Sequence, residues 1–253
     1  MPANTQEAFI RRVQRALQRT AGHLPQATVL ESRPSAATDR ALAAVRNRNR
    51  DQRLILLDQL IAAGKPIHLT VVGLPNAATV AEAIARLVRE KDPEWGGGKQ
   101  VAAWRHPLID RLDLPQRLAS DDIPVIVEHA EPPGTHAQAA SNFHDPVAQA
   151  FVGITSADFC VAESGTLVLK TRPGQSRRVS LLPLIHVAVI TLDQVLASFT
   201  ELYACLCRDP VHRAEGITTC MTFISGPSRT ADIEAVMVHG AHGPKEVWLY
   251  VIT

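Results

Sequence analysis

Hydrophobic and polar residues follow two different rhythms along the chain, and the rhythm changes near residue 64. Before that point, apolar residues recur at helical spacing, first over residues 5–20 and then over residues 38–64. After it, short apolar runs alternate with amphipathic stretches. We therefore predict two domains, a helical appendage over residues 1–64 and an α/β domain over residues 65–253.

Run length and spacing predict the elements of the second part. The clearest is a helix over residues 77–91, because Asn76 can cap it and Val80, Ile84 and Leu87 share one face. Other predictions are a helix over residues 115–119, a helix from a cap at Asp193 to about Cys207, and a loop over residues 131–146. Strands are predicted over residues 68–73, 101–104, 124–128, 159–162, 166–171, 185–191, 218–224 and 247–253. Strands that alternate with helices favour a parallel or mixed sheet with helices on both faces.

Composition adds limits on the core and on partners. Aromatic residues make up only 4% of the chain, so Val, Ile, Leu and Ala must build the core, as in many parallel sheets. A net charge of +1 gives no reason to expect binding to nucleic acid or membranes. Residues 1–53, however, carry ten Arg and four acidic residues. This Arg-rich segment is either a basic arm that docks on an acidic partner or a set of solvated helix faces paired within the domain.

Targeting features favour a cytoplasmic protein. Residues 1–15 lack the continuous apolar region of a signal peptide, and no run reaches the roughly 18 apolar residues of a membrane span. The four cysteines, at positions 160, 205, 207 and 220, lie in apolar sequence rather than in a disulfide framework.

One candidate for chemistry is the segment from Ser225 to Glu234, which follows a predicted strand and precedes a short predicted helical run. Gly226 permits close approach of the backbone to a ligand, and Arg229 can hold a carboxylate or phosphate with two hydrogen bonds. The alternative is a capped helix start in which Arg229 pairs with Asp232 or Glu234.

A second candidate is Glu163, which stands between apolar strand residues and the turn at Ser164-Gly165. A carboxylate at the mouth of a pocket can serve as an acid, a base or a nucleophile. The alternative is a carboxylate that accepts backbone N–H bonds across the turn.

Metal and cofactor sites are not predicted. His239 and His242 have no third ligand at a diagnostic spacing, and Cys205 and Cys207 point in different directions on a predicted helix. The cysteine runs of iron–sulfur clusters and the glycine-rich loops that bind nucleotides do not occur in the sequence.

Several motifs of residues 150–253 occur in an order that resembles a known family, the lactate-utilisation protein C (LutC) proteins with a LUD domain. They are Gly153-Ile154-Thr155, the run from Ala162 to Leu169, Ser180-Leu181-Leu182-Pro183 with His186, the run from Ser225 to Glu234, and Gly240-Ala241-His242-Gly243-Pro244. Ser164 stands where the family pattern has Thr, and Ala241 where it has Val; both changes keep the chemical character of the position.

The resemblance implies a three-layer α/β/α fold like that of ribose-5-phosphate isomerases, glucosamine-phosphate deaminases (NagB/RpiA-like) and CoA transferases. It also implies an accessory role beside two partner proteins, which carry the iron–sulfur clusters, in oxidising L-lactate to pyruvate. Two alternatives stay open: a stand-alone transferase or isomerase that acts on a phosphorylated or CoA-linked substrate through Glu163, and a metabolite sensor without turnover. Whether the chain forms a homo-oligomer is also open.

We predict one cleft at the carboxyl edge of the sheet, with Glu163 as the catalytic residue and a small anion as the ligand. The candidate ligand-binding residues are Ser164, Gly165, Thr166, Ser225, Gly226, Ser228, Arg229, Thr230, Asp232, Glu234, His242 and Gly243.

Overall fold

The computed structural model describes residues 8–9, 12–13, 15–16, 35–94, 98–128, 146–215, 220–231, 237–240 and 242–253. The chain divides into two compact units, Met1–Ala36 and Ala37–Thr253. In the first unit, the described residues before 35 are helical and exposed. All the β-structure of the described residues belongs to the second unit.

The described helices and strands are numbered here in chain order. The helices are α1 (Ala36–Asn47), α2 (Arg50–Gly64), α3 (Ala77–Glu90), α4 (Pro107–Asp110), α5 (Leu114–Leu118), α6 (Pro146–Gln149), α7 (Arg178–Leu181), α8 (Phe199–Arg208) and α9 (Pro210–Glu215), with 3-10 turns at Lys65–Ile67, Ala119–Asp121 and Leu192–Gln194. The strands are β1 (Leu69–Leu74), β2 (Val101–Ala103), β3 (Val125–Val127), β4 (Val152–Ser156), β5 (Phe159–Val161), β6 (Thr166–Lys170), β7 (Ile185–Thr191), β8 (Val195–Leu196), β9 (Met221–Ile224), β10 (Arg229–Ala231), β11 (Met237–His239) and β12 (Glu246–Ile252).

Six parallel strands form the main sheet, in the order β1-β12-β7-β4-β2-β3. Strands β12, β7 and β4 are largely buried because they are covered on both faces, which explains why β12 and β7 are mostly apolar in sequence. A second sheet of four strands, β8-β5-β6-β9, and the hairpin β10-β11 complete the β-structure of the described residues.

The two faces of the main sheet are covered differently. On one face, α3 packs the apolar side made by Val80, Ile84 and Val88, together with residues of α4 and α5, against the sheet. On the other face lie α2 and the second sheet. The α/β class with a mostly parallel sheet is thus confirmed, but the second face carries a sheet as well as a helix.

Alternation along β5 and β6 explains why these two strands of the second sheet lie inside the protein. Cys160 and Leu167 face the main sheet, whereas Phe159 and Val168 face the outer helix α8. Both sides of these strands are therefore apolar and buried, as a sheet between two layers requires.

The compact units divide earlier than the predicted boundary at residue 64. Helix α2 begins with a capping box formed by Asn49 and Gln52 and buries Leu56, Leu57 and Leu60 against the main sheet. Helices of the predicted appendage thus belong to the unit that holds the sheet.

One strand of the main sheet was missed, and three predictions about elements did not match the structure or could not be compared with it. Strand β4 was not predicted, and the helix expected from an Asp193 cap is instead a 3-10 turn and β8, with α8 starting after Ser198. The helical run expected after Ser225 is strand β10 over its described part. The loop expected over 131–146 lies outside the described residues, except for Pro146.

None of the described helices combines the length and the apolar character that crossing a membrane requires.

Candidate functional site

The sequence motifs meet at the amino edge of the main sheet, not at its carboxyl edge. A Cβ placed on Gly226 would lie 2.2 Å from the backbone oxygen of Ile67, two residues before β1. Ser228 donates its backbone N–H to Pro244, shortly before β12, at 2.8 Å. The predicted location was wrong because β6 and β9 belong to the antiparallel part of the second sheet, whose strand ends do not follow the direction of the parallel strands.

Three of the predicted residues form a chain of hydroxyl groups. The oxygens of Ser164 and Thr166 are 2.7 Å apart, and those of Thr166 and Ser225 are 2.8 Å apart. Each hydroxyl can donate one hydrogen bond and accept others, so the chain can be polarised in either direction. The structure therefore joins the turn before β6 to the end of β9, as the sequence motifs suggested.

Gly165 and Gly226 make this junction possible. Their φ angles are 63° and 86°, in the region that favours glycine. A Cβ at Gly165 would lie 2.8 Å from the Cδ1 atom of Ile67, the same residue that approaches Gly226. The close approach that these glycines permit is thus to Ile67 of the chain itself.

Arg229, the first residue of β10, has an unusual environment. Its Nε and Nη2 atoms are buried and have no hydrogen-bond partner among the described residues. Burying parts of a cation without acceptors is costly, so such a guanidinium calls for an anion. Arg229 is therefore the strongest candidate for a ligand contact among the predicted residues.

The glycine-rich segment after β11 lies beside Arg229's neighbour Ser228. Gly240 donates its backbone N–H to Ser228 at 3.0 Å, and the His242 N–H is 3.4 Å from the Ser228 hydroxyl oxygen. Gly240 and Gly243 also border a cavity of about 750 Å³ at the amino edge of the sheet, together with Leu182. Ser228, His242 and Gly243 are thus brought together, with His242 exposed.

Glu163 has a partner that fits a structural role. Its Oε1 atom accepts the backbone N–H of Phe199, the first residue of α8, at 2.9 Å. A carboxylate at this position stabilises an N–H group that the helix itself cannot pair. This bond agrees with the alternative in which the Glu163 carboxylate accepts backbone N–H groups. The catalytic role of Glu163 stays a prediction.

Three predicted residues are described only in part or not at all. Thr230 belongs to β10 and pairs with Val238, but its side chain lies outside the described residues, as do Asp232 and Glu234.

A cavity that was not predicted lies at the carboxyl edge of the main sheet. It has a volume of about 520 Å³ and is bordered by His106 after β2, Asp158 after β4 and Asp193 after β7, with Arg172 and His212 on its other side. Open parallel sheets usually bind ligands at this edge. Polar residues directly after three strands were the available signal, but it could not be read without recognising β4.

A cluster of charges lies beside this carboxyl-edge cavity. Arg172 donates to Asp158 at 2.5 Å and to Glu215, which also accepts from Lys170 at 2.8 Å. Burial alone would lower the pKa of Arg172, but the hydrogen bonds to both carboxylates raise it above its ordinary value. Burial, followed by the charge of Lys170, lowers the pKa of His212.

His106 and His186 are two further histidines with shifted pKa values. Burial lowers the pKa of His106, whose Nδ1 atom accepts the Leu108 N–H at the start of α4. His186 on β7 is fully buried, and its Nε2 atom is 2.8 Å from the hydroxyl oxygen of Thr155 on β4. Burial lowers the pKa of His186 to about 3, so this imidazole is neutral at pH 7.

Known proteins resemble this chain over most of its length. The LUD domain family matches residues 57–252. Lactate utilization protein C of Geobacillus sp. (strain WCH70) is 33% identical over 198 residues, 78% of each chain. Lactate utilization protein C of Halalkalibacterium halodurans is 34% identical over 58% of this chain and 59% of that protein.

Among solved structures, a DUF162 family protein from Deinococcus radiodurans covers 81% of this chain and 99% of its own, with a TM-score of 0.49 and 18% identity. The family match spans more than half of the chain, and the Geobacillus relative exceeds 30% identity over most of both proteins. The chain therefore belongs to the LUD domain family, alongside the lactate utilization protein C proteins that its sequence motifs resemble.

Proposed function

We propose that this chain is an accessory cytoplasmic component of a system that oxidises L-lactate to pyruvate, and that it binds a small carboxylate at Arg229. The relatives named lactate utilization protein C support a role in the use of lactate. The iron–sulfur chemistry falls to partner proteins, since the four cysteines here lack the spacing of cluster ligands.

The observation that carries the ligand proposal is the buried, unpartnered Nε and Nη2 pair of Arg229 within the described residues. These two nitrogens lie on one edge of the guanidinium, the edge that grips a carboxylate with two parallel hydrogen bonds. Lactate and pyruvate each present one carboxylate beside an oxygen on the neighbouring carbon. The hydroxyl chain from Ser164 to Ser225 leads toward the same segment and can donate to, or accept from, such an oxygen.

A growth and binding experiment tests the proposal. A strain deleted for the gene is complemented with the intact chain, with Arg229→Ala, or with Arg86→Ala, which removes an exposed arginine of α3. We expect the intact chain and Arg86→Ala to restore growth on L-lactate, and Arg229→Ala to fail. Calorimetric titration with L-lactate and pyruvate should show a loss of roughly 1.5–3 kcal/mol for Arg229→Ala, the scale of a hydrogen bond to a charged group.

Two results would contradict the proposal. One is full growth on L-lactate with unchanged affinity in Arg229→Ala. The other is an unfolded Arg229→Ala protein, which would make the arginine structural. Arg229→Lys keeps the charge without the two-pronged grip, so an intermediate affinity is expected.

A further inference from the structure

Lys170 and Arg172 pair with the same carboxylate, that of Glu215, beside the carboxyl-edge cavity. Lys170 is the last residue of β6 and its side chain is only 1% exposed, whereas Arg172 borders the cavity directly. A lysine buried to this degree keeps its charge without a large cost only beside an anionic partner. The identity of that partner, and how firmly it is held, therefore matters.

The partner is the carboxylate of Glu215, which accepts the hydrogen bonds that a bound carboxylate ligand would accept. Its Oε1 atom accepts from Nε of Arg172, and its Oε2 atom accepts from Nη2 of Arg172 at 3.0 Å and from Nζ of Lys170 at 2.8 Å. Arg172 thus grips both oxygens while Lys170 adds a third donor, the arrangement with which proteins bind free carboxylates. The hydrogen bond with Arg172 lowers the pKa of Glu215 to about 2.

The helix that carries Glu215 is weakly anchored by comparison. None of the six described residues of α9 is buried, and the Val211 side chain is 74% exposed. His212 contributes one ring contact, 4.7 Å between its centroid and that of Phe159, and a 3.3 Å approach to Lys170. Apolar burial, which usually fixes a helix, contributes little here, so ion pairs hold α9 in place.

We propose that Lys170 and Arg172 form a binding site for a carboxylate-bearing small molecule, and that Glu215 occupies it as a built-in substitute. An entering carboxylate takes the three hydrogen bonds of Glu215 and releases α9, whose residue His212 borders the cavity. The carboxylates that form ion pairs with Lys170 and Arg172 in the described residues are those of Glu215 and Asp158. When Glu215 is displaced, Asp158 is left with two cations, so the site carries a net positive charge. This site is separate from Arg229 and does not depend on the function proposed for it.

Chemical rescue tests whether the two cations accept a free carboxylate. We compare the thermal unfolding midpoints of the parent, Glu215→Ala and Glu90→Ala, which removes the same charge from an exposed position of α3. Glu215→Ala should lower the midpoint, and sodium acetate should restore much of the loss, whereas sodium chloride at equal ionic strength should not. Glu90→Ala should show neither effect. A midpoint that acetate and chloride change equally would overturn the proposal.

Hydrogen exchange on the unmodified chain tests displacement itself and does not require a variant to fold. Acetate or L-lactate should speed exchange of the backbone amides from Val211 to Glu215, because the ligand frees α9. Ordinary ligand binding slows exchange, so faster exchange confined to α9 is a specific result. Unchanged or slower exchange there would contradict the proposal.

The same measurement on Arg229→Ala separates the two carboxylate proposals. If α9 still responds to acetate in Arg229→Ala, the site at Lys170 and Arg172 stands even where the role of Arg229 fails. If the response disappears with Arg229, the effect belongs to the amino-edge site and the inference about Glu215 is wrong.

Discussion

Two residues, His186 and Arg229, bury polar atoms that have no hydrogen-bond partner among the described residues. They are the most informative single residues in this protein. Nδ1 of His186 has no hydrogen-bond partner among the described residues, although Nε2 approaches Thr155. Neutral imidazole tolerates such a site, whereas imidazolium, with a donor on each nitrogen, does not. Arg229 cannot lose its charge in this way, which is why its buried nitrogens point to a ligand and those of His186 do not.

His186 predicts a pH dependence of stability. Its pKa is about 3 in the folded protein, against an ordinary value near 6.5, so below pH 6.5 the unfolded chain binds a proton that the folded chain does not. Stability should therefore fall as pH drops from 6.5 toward 3. This side chain alone accounts for about 2 kcal/mol between pH 7.5 and pH 5.

Urea unfolding at pH 7.5 and pH 5 measures this loss. His186→Gln should unfold with a smaller difference between the two pH values, while His242→Gln, at an exposed position, should keep the difference of the parent. His106 and His212 also have lowered pKa values, so part of the dependence should remain. An undiminished difference in His186→Gln would show that this histidine is not the cause.

At the scale of elements, close backbone contacts decide how the second sheet meets the main one. The 3-10 turn that ends at Ile67 lies against both Gly165 and Gly226, which come from the ends of neighbouring strands β6 and β9. A side chain at either glycine would separate the turn from the hydroxyl chain. The geometry of the amino-edge site therefore depends on packing between elements as much as on its polar residues.

Gly226→Ala should destabilise the fold by at least about 2 kcal/mol, because it combines a positive φ with a Cβ placed 2.2 Å from a backbone oxygen. Gly98→Ala is the matched control, since a Cβ there meets nothing within 4 Å. Denaturant unfolding of both variants measures the difference. Equal stability of the two variants would show that the contact with Ile67 relaxes freely.

Elements with a single, strong local signal were predictable from the sequence. The β-branched run of β7 matched its predicted bounds, and the helix capped by Asn76 ended one residue early. Strand β4 was missed because Thr155 and Ser156 look polar in sequence, yet both are buried, Thr155 beside His186. A pairing between strands thirty residues apart cannot be read from local pattern.

The candidate site was predictable by residue type but not by position. The serine and threonine motifs did come together, because each stands at a strand end. The predicted location at the carboxyl edge of the main sheet was wrong, because β6 and β9 are antiparallel neighbours in the second sheet. Glu215 gave no signal at all, because only the folded chain brings α9 to Lys170 and Arg172.

At the scale of the whole molecule, the division into Met1–Ala36 and Ala37–Thr253 places all the described strands in one unit. The Arg-rich segment that the sequence singled out straddles this division. Two of its arginines, Arg46 and Arg48, pair with Asp209 and Glu201 of the second unit, so part of the segment is used within the domain. The docking hypothesis is therefore tested on residues 1–20.

Deleting residues 1–20 should leave the second unit folded, with an unchanged midpoint of urea unfolding, because that unit contains the sheets and their cores. If the basic arm docks, the truncated chain should lose association, in co-purification, with the iron–sulfur proteins that we propose as its partners. Retained association would favour the alternative of solvated helix faces. An insoluble truncation would contradict the prediction that these residues lie outside the core.

Translation leaves the main sheet open until strand β12 emerges. Strand β12 lies between β1 and β7, so β1 cannot join the sheet before Glu246 has been added. The stretch from β1 to β12 is ~170 residues, which takes roughly 10–35 seconds at ribosomal speed. Strand β1 presents an unpaired edge throughout that time, and β7 presents one from its own synthesis until β12 is added; such edges can recruit other chains. We therefore expect chaperones that act on the nascent chain, more than those that act on the finished protein, to govern its yield in a cell.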